Sequence, residues 1–100
     1  MIRLDIVVSK KALDWFKEEM EAEPGDHIRF FARYGGSSKL HEGFSLGVTK
    51  DTPDEAAAER TVDGLLFYVE ERDFWYFDGH DLHVGLNEAT GELEYDYKKA

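Results

Sequence analysis

Apolar side chains recur at every second position through most of this 100-residue chain, and a chain with that period buries one face only by pairing extended segments into sheet. Ile2, Leu4, Ile6 and Val8 alternate with Arg3, Asp5 and Val7, and Ile28, Phe30, Ala32 and Tyr34 alternate with His27, Arg29, Phe31 and Arg33. Phe44, Leu46 and Val48 restart the period, and Leu82, Val84 and Leu86, then Leu93, Tyr95 and Tyr97, carry it to the end. Asp63-Gly64 is the pair that a two-residue hairpin favours, because both central residues take positive φ, so residues 59–62 are expected to pair with 65–70. One segment switches to helical spacing. Ala12, Leu13, Phe16 and Met20 follow Ser9, which can cap a first-turn N–H, and Pro24-Gly25 cannot continue a helix, so one helix is expected from Ser9 to about Ala22.

The remaining punctuation is made of turns. Gly35-Gly36 is expected to end the second strand, residues 35–43 read as a glycine-bounded loop, and the polar stretch from Thr49 to Glu59 reads mainly as a surface connection. Phe74-Trp75-Tyr76-Phe77 reads as a strand with two rings facing the core and two facing outward, followed by turns at Asp78-Gly79 and at 87–91. Six or seven short strands with one early helix give a mainly β (α+β) class. Short connections imply mostly antiparallel pairing in a sandwich or flattened barrel. A chain of this size buries about 65% of its unfolded surface, enough for one core, so residues 1–100 are expected to form a single domain.

Charge and composition exclude several chemistries. The formal net charge is −10, with 14 acids against 4 bases in residues 51–100, which opposes a nucleic-acid partner bound by phosphate neutralisation. There is no cysteine, so disulfides, thiolate nucleophiles and cysteine-ligated zinc or iron–sulfur centres are ruled out. The longest apolar run, Leu65 to Val69, is far short of the ~20 residues of a membrane helix, and the acid at Asp5 interrupts any signal-peptide core. A cytoplasmic protein without a membrane partner is expected.

The chemical candidates are few. His80-Asp81-Leu82-His83 offers imidazoles and a carboxylate to a metal, but on an extended chain His80 and His83 point to opposite faces. His41-Glu42 lies in the 35–43 loop, where both side chains could reach a ligand; a solvated loop is the alternative. Ser37 and Ser38 near a His41 base lack an orienting acid and an oxyanion donor, and Glu70-Glu71 and Asp78 with Asp81 read as an acidic edge. No nucleophile elbow or phosphate loop is present, so no enzyme is read. The rings of Phe74, Trp75, Tyr76 and Phe77 need a cover, which is either a second layer of the fold or an interface with a partner or another subunit.

The order of strand, Ser-capped helix, strand ending in Gly35-Gly36-Ser37-Ser38, Asp63-Gly64 hairpin, and Val69-Glu70 through Tyr76-Phe77-Asp78-Gly79 resembles the HesB/IscA-like family of A-type iron–sulfur carriers, from about Ile6 to Leu86. The resemblance implies a HesB-like mixed β-sandwich or pseudobarrel with one N-terminal helix, and a cysteine-less branch of that family. Its first ligand position falls on Ser37, and the Cys-Gly-Cys of the carriers has no counterpart. It then implies a protein related to iron–sulfur cluster assembly that holds no cofactor of its own, an iron or iron–sulfur cluster binding only with a partner's ligands. A surviving pocket would be lined by Ser37, His41 and Glu42. Two other readings stand beside this one: a cofactor-free protein-interaction module using Phe74–Phe77, with a protein partner or a second copy, and a hard-metal protein using His41, His80 or His83 with carboxylates.

Overall fold

The computed structural model describes residues 4–99. They form β1 (Ile6–Val8), α1 (Lys10–Glu19), β2 (His27–Ser37), β3 (Glu42–Lys50), β4 (Ala56–Val62), β5 (Leu65–Glu70), a 3₁₀ helix (Glu71–Phe77), β6 (His80–Asn87) and β7 (Glu92–Lys99). The mainly β class follows from the alternation; Ile2 and Arg3 of the first expected strand lie outside the described residues. Ser9 caps α1, its Oγ accepting from the Ala12 N–H at 3.1 Å. The helix stops earlier than expected, because the Met20 and Ala22 N–H groups both donate to the Phe16 carbonyl (3.2 and 3.1 Å) and Glu21 turns to a φ of 52°.

The strands form two sheets, ordered β1-β6-β7 and β3-β2-β5-β4. The three hairpins are antiparallel, including β4–β5 around Asp63-Gly64. The joints between non-consecutive strands are parallel, with Ile6 opposite Leu82 and Ile28 opposite Phe67. Pairing is thus mostly antiparallel, as expected, with two parallel joints that the sequence pattern did not announce. Strands far apart in the chain are joined by no local turn, so nothing in the short-range pattern reports their direction.

The two sheets and α1 enclose one apolar core. Phe16 of α1 lies edge-on to Phe67 and Phe30 (ring centroids 5.1 and 6.2 Å), and Phe30 stacks on Phe67 at 6.1 Å. All three are fully buried.

Three local readings are corrected. Gly35-Gly36-Ser37 does not end β2 but continues it through a bulge, with Gly35 and Gly36 at φ 114° and 67° and Ser37 opposite Glu42, so the 35–43 loop shrinks to residues 38–41. The stretch from Thr49 to Glu59 contributes strand from Ala56 onward. Most consequentially, Phe74–Phe77 is not a strand. β5 pairs with β2 only as far as Val69 opposite Phe30, and the buried Glu70 carboxylate then accepts the backbone N–H groups of Asp54 and Glu55, which stops the strand at that loop. Asp73 accepts from Arg29 Nη2 at 2.7 Å and from the Ala32 N–H at 3.3 Å, taking the β2 donor that β5 no longer reaches. With three residues per turn, Asp73 and Tyr76 face inward while Arg72, Trp75 and Asp78 share the exposed side.

Replacing Phe16 by Ala removes the ring common to helix and sheet, and should destabilise the fold by about 3–5 kcal/mol. Urea unfolding at constant denaturant slope measures it; a loss below about 1 kcal/mol would show that the core closes over the vacated space.

Candidate functional site

The 3₁₀ helix and the β2–β3 turn meet, and their rings form a continuous row. The exposed Tyr34 packs edge-on to Phe44 (5.7 Å), and Phe44 packs edge-on to Trp75 (5.2 Å). His41 lies 6.5, 5.6 and 5.2 Å from Phe44, Trp75 and Tyr76. The row then runs inward through Tyr76 to Tyr97, whose hydroxyls are 3.1 Å apart. His41 Nε2–H donates to the Tyr76 carbonyl at 2.8 Å, which sets its tautomer and ties the turn to the 3₁₀ helix.

Tyr34 is 92% exposed and Trp75 51%. The alternation assigns Tyr34 and Phe44 to the core face, and the outcome differs by position: Phe30 is covered by Phe16 of α1 and Tyr95 of the other sheet, whereas Tyr34, four residues on, packs edge-on to Phe44 and stands in water. The glycine pair after Tyr34, which marks the end of regular pairing, was the available signal. The interface expected from Phe74–Phe77 is likewise narrowed. Tyr76 and Phe77 are core residues, Phe74 is half-buried, and Trp75 alone of the four stands out.

The expected pocket of Ser37, His41 and Glu42 does not assemble. Ser37 lines a cavity of about 280 Å³ with Ser38, Lys39, Ser45, Leu46, Tyr95 and Tyr97, whereas His41 turns to the ring row and Glu42 is exposed. Ser38 Oγ accepts from the Leu40 and His41 N–H groups (3.3 and 3.2 Å), so this hydroxyl builds the turn, and the His41 base is directed elsewhere. Lys39, one of the lining residues, is ion-paired with Asp96, which holds the Asp96 carboxyl below its ordinary range and raises Lys39.

The other histidines are placed apart. His80 Nδ1–H donates to the carbonyls of Phe77 and Asp78 (3.0 and 2.9 Å), closing the 3₁₀ helix. His83 lies on β6 opposite Asp96 of β7. Among the described residues no three His, Asp or Glu side chains converge as a metal site, and none of the helices is long and apolar enough to cross a membrane.

Burial pushes the Tyr95 phenol up to about 12 and raises Tyr97, with the Tyr76 hydroxyl adding to the second shift. A raised phenol in the fold stabilises it fully below the ordinary pKa of 10.0, and that contribution is lost as pH rises through 10.0 towards 12. In alkaline titration of the native protein the Tyr95 phenolate absorbance is therefore expected only near pH 12, and that of Tyr97 above the ordinary value too; ionisation of either near 10.0 in the intact fold would contradict their burial. Asp73→Ala should cost about 3 kcal/mol, since the largely buried Arg29 then keeps only the looser Asp51 carboxylate, 3.9 Å from its Nη1, and should alter the Trp75 emission, because Asp73 holds the 3₁₀ helix against β2. A Trp75 spectrum indifferent to this change would separate the ion pair from the ring row.

No family model matches the chain, and no solved structure matches it. It does belong to a family of small bacterial proteins that align with it nearly end to end. One member, from Bacillus subtilis, is named pyruvate dehydrogenase inhibitor; it is 47% identical over 95 residues, covering 95% of this chain and 100% of the relative. An uncharacterized protein of Staphylococcus saprophyticus is 40% identical over 98 residues, covering 95% and 100% of the two chains. Another from Staphylococcus aureus is 33% identical over 99 residues, covering 96% and 99%. These relatives overturn the resemblance to the HesB/IscA-like family and its implied link to iron–sulfur cluster assembly: the named relative is a pyruvate dehydrogenase inhibitor, and no family model supports the resemblance. Of the residues that carried the resemblance, Gly35-Gly36, Asp63-Gly64 and Asp78-Gly79 serve backbone turns, and Val69, Tyr76 and Phe77 are core side chains.

Proposed function

We propose that this chain is a non-enzymatic regulator that acts by binding a protein, and that the protein is a pyruvate dehydrogenase. The observation that carries the reading is 47% identity, over the whole of the relative, to a protein named pyruvate dehydrogenase inhibitor. Substitutions at that level are compatible with one fold and one docking surface. The ring row agrees with a binding role, since large aromatic groups left in water are the usual anchors of protein interfaces. The described hydroxyls and imidazoles nearest one another are engaged with backbone groups, which suits a binding protein better than a catalyst. A partner of this kind supports the cytoplasmic location expected from the sequence.

The assay follows pyruvate-dependent NADH formation by a purified bacterial pyruvate dehydrogenase while the protein is added. The rate should fall saturably, approach its floor near one regulator per binding site, and recover on dilution as expected for non-covalent inhibition. A rate unchanged at a large molar excess, with no co-migration on gel filtration, would reject the reading.

A further inference from the structure

We propose that the face formed by Tyr34, Phe44, Trp75 and His41 is where this chain grips its protein partner, and that the face receives a lysine- or arginine-bearing segment. This rests on the protein-binding reading above and adds the surface and the chemistry of the contact.

The large apolar side chains that stand exposed among the described residues are Val7, Tyr34 and Trp75, and two of the three belong to this one ring cluster. Their positions are held rather than free. Phe44 is wedged edge-on between Tyr34 and Trp75, and the His41 bond to the Tyr76 carbonyl keeps the turn against the 3₁₀ helix. Rings fixed in this way present a π surface at little entropic cost on binding.

Charge selects the occupant. The chain carries a net −10, so its field draws cationic segments inward and repels a second copy of itself. Two exposed acids adjoin the cluster along the chain: Glu42, two residues before Phe44 on β3, and Asp78, the residue that caps the 3₁₀ helix three positions after Trp75. The cations of the same segments are Arg72, on the exposed side of the 3₁₀ helix, Arg33, which alternates to the other face of β2 from Tyr34, and Lys39, whose charge is met by Asp96. A guanidinium or ammonium above the Trp75 and Tyr34 rings would gain ring attraction and acidic neighbours together.

The test uses full-length protein with Tyr34→Ser, Trp75→Ser, Trp75→Leu and, as a control for an exposed apolar residue elsewhere, Val7→Ser. Each is first checked for an unchanged melting midpoint; Trp75→Leu keeps apolar volume while removing the best π face, so it separates ring chemistry from folding. Against a purified bacterial pyruvate dehydrogenase, the three ring variants should weaken binding about tenfold each while Val7→Ser binds normally. Added salt should weaken the wild-type complex. Wild-type binding that all ring variants retain would overturn the proposed face and leave the proposed function standing. Failure of the wild type to bind would remove the dehydrogenase reading, and a second arm then decides the face: the Trp75 indole N–H signal is followed while a short lysine- and arginine-rich peptide, or its glutamate counterpart, is added. Displacement by the basic peptide alone supports the proposal. No displacement, equal displacement by both peptides, or a dimer abolished by Trp75→Ser overturns it.

Discussion

The arrangement turns on the carboxylate of Asp73. β5 leaves β2 after the Phe30–Val69 pair, and an abandoned strand edge would leave a donor in a buried place. Asp73 takes that donor, the Ala32 N–H, and pairs with Arg29 at 2.7 Å with both side chains largely covered. Such a pair is weak as a source of net stability, because desolvation offsets most of the attraction, and the Arg29 Nε is itself buried without a partner. Its effect is positional. It fixes the start of the 3₁₀ helix, and a period of three then decides that Tyr76 enters the core and Trp75 does not.

The same carboxylate explains where the sequence could be read and where it could not. The alternation located β2, β3, β6 and β7, and Asp63-Gly64 located a hairpin whose central residues do take positive φ (51° and 81°). These are local facts with local causes. Phe74–Phe77 misled because four aromatic residues in a row have high strand propensity, while the groups that override it, Arg29 and Ala32 on β2, lie far back in the chain. The parallel joints were hidden for the same reason. Tyr34 illustrates a third kind of miss: its parity on β2 is right, yet parity says which face a residue shares and not whether anything covers that face.

The family resemblance drawn from the sequence failed in an instructive way. Gly35-Gly36, Asp63-Gly64 and Asp78-Gly79 all sit at positive φ, where a bulge, a hairpin and a helix stop require it. Any small protein that needs those three bends in that order will write similar residues, so the order of turns testifies to backbone geometry before it testifies to chemistry. Of the candidate site, the sequence reading named both Trp75 and His41 but assigned them to separate features, an aromatic interface and a loop pocket. It could not show that the two meet, since their contact at 5.6 Å joins a β2–β3 turn to a 3₁₀ helix the pattern did not contain.

An exposed tryptophan beside a 92% exposed tyrosine is a poor use of apolar surface in an isolated monomer, and the fold does nothing to hide either. It immobilises them instead. Phe44 sits between the two rings, Tyr76 anchors the inner end through Tyr97, and the His41 imidazole is spent on a carbonyl that locks the turn in place. Ordering costs already met in the free protein need not be met again on binding. A surface that is apolar, rigid and set in an acidic molecule is thus poised for a partner that brings a positive charge, and the interior pairing of Asp73 with Arg29 is what keeps it so.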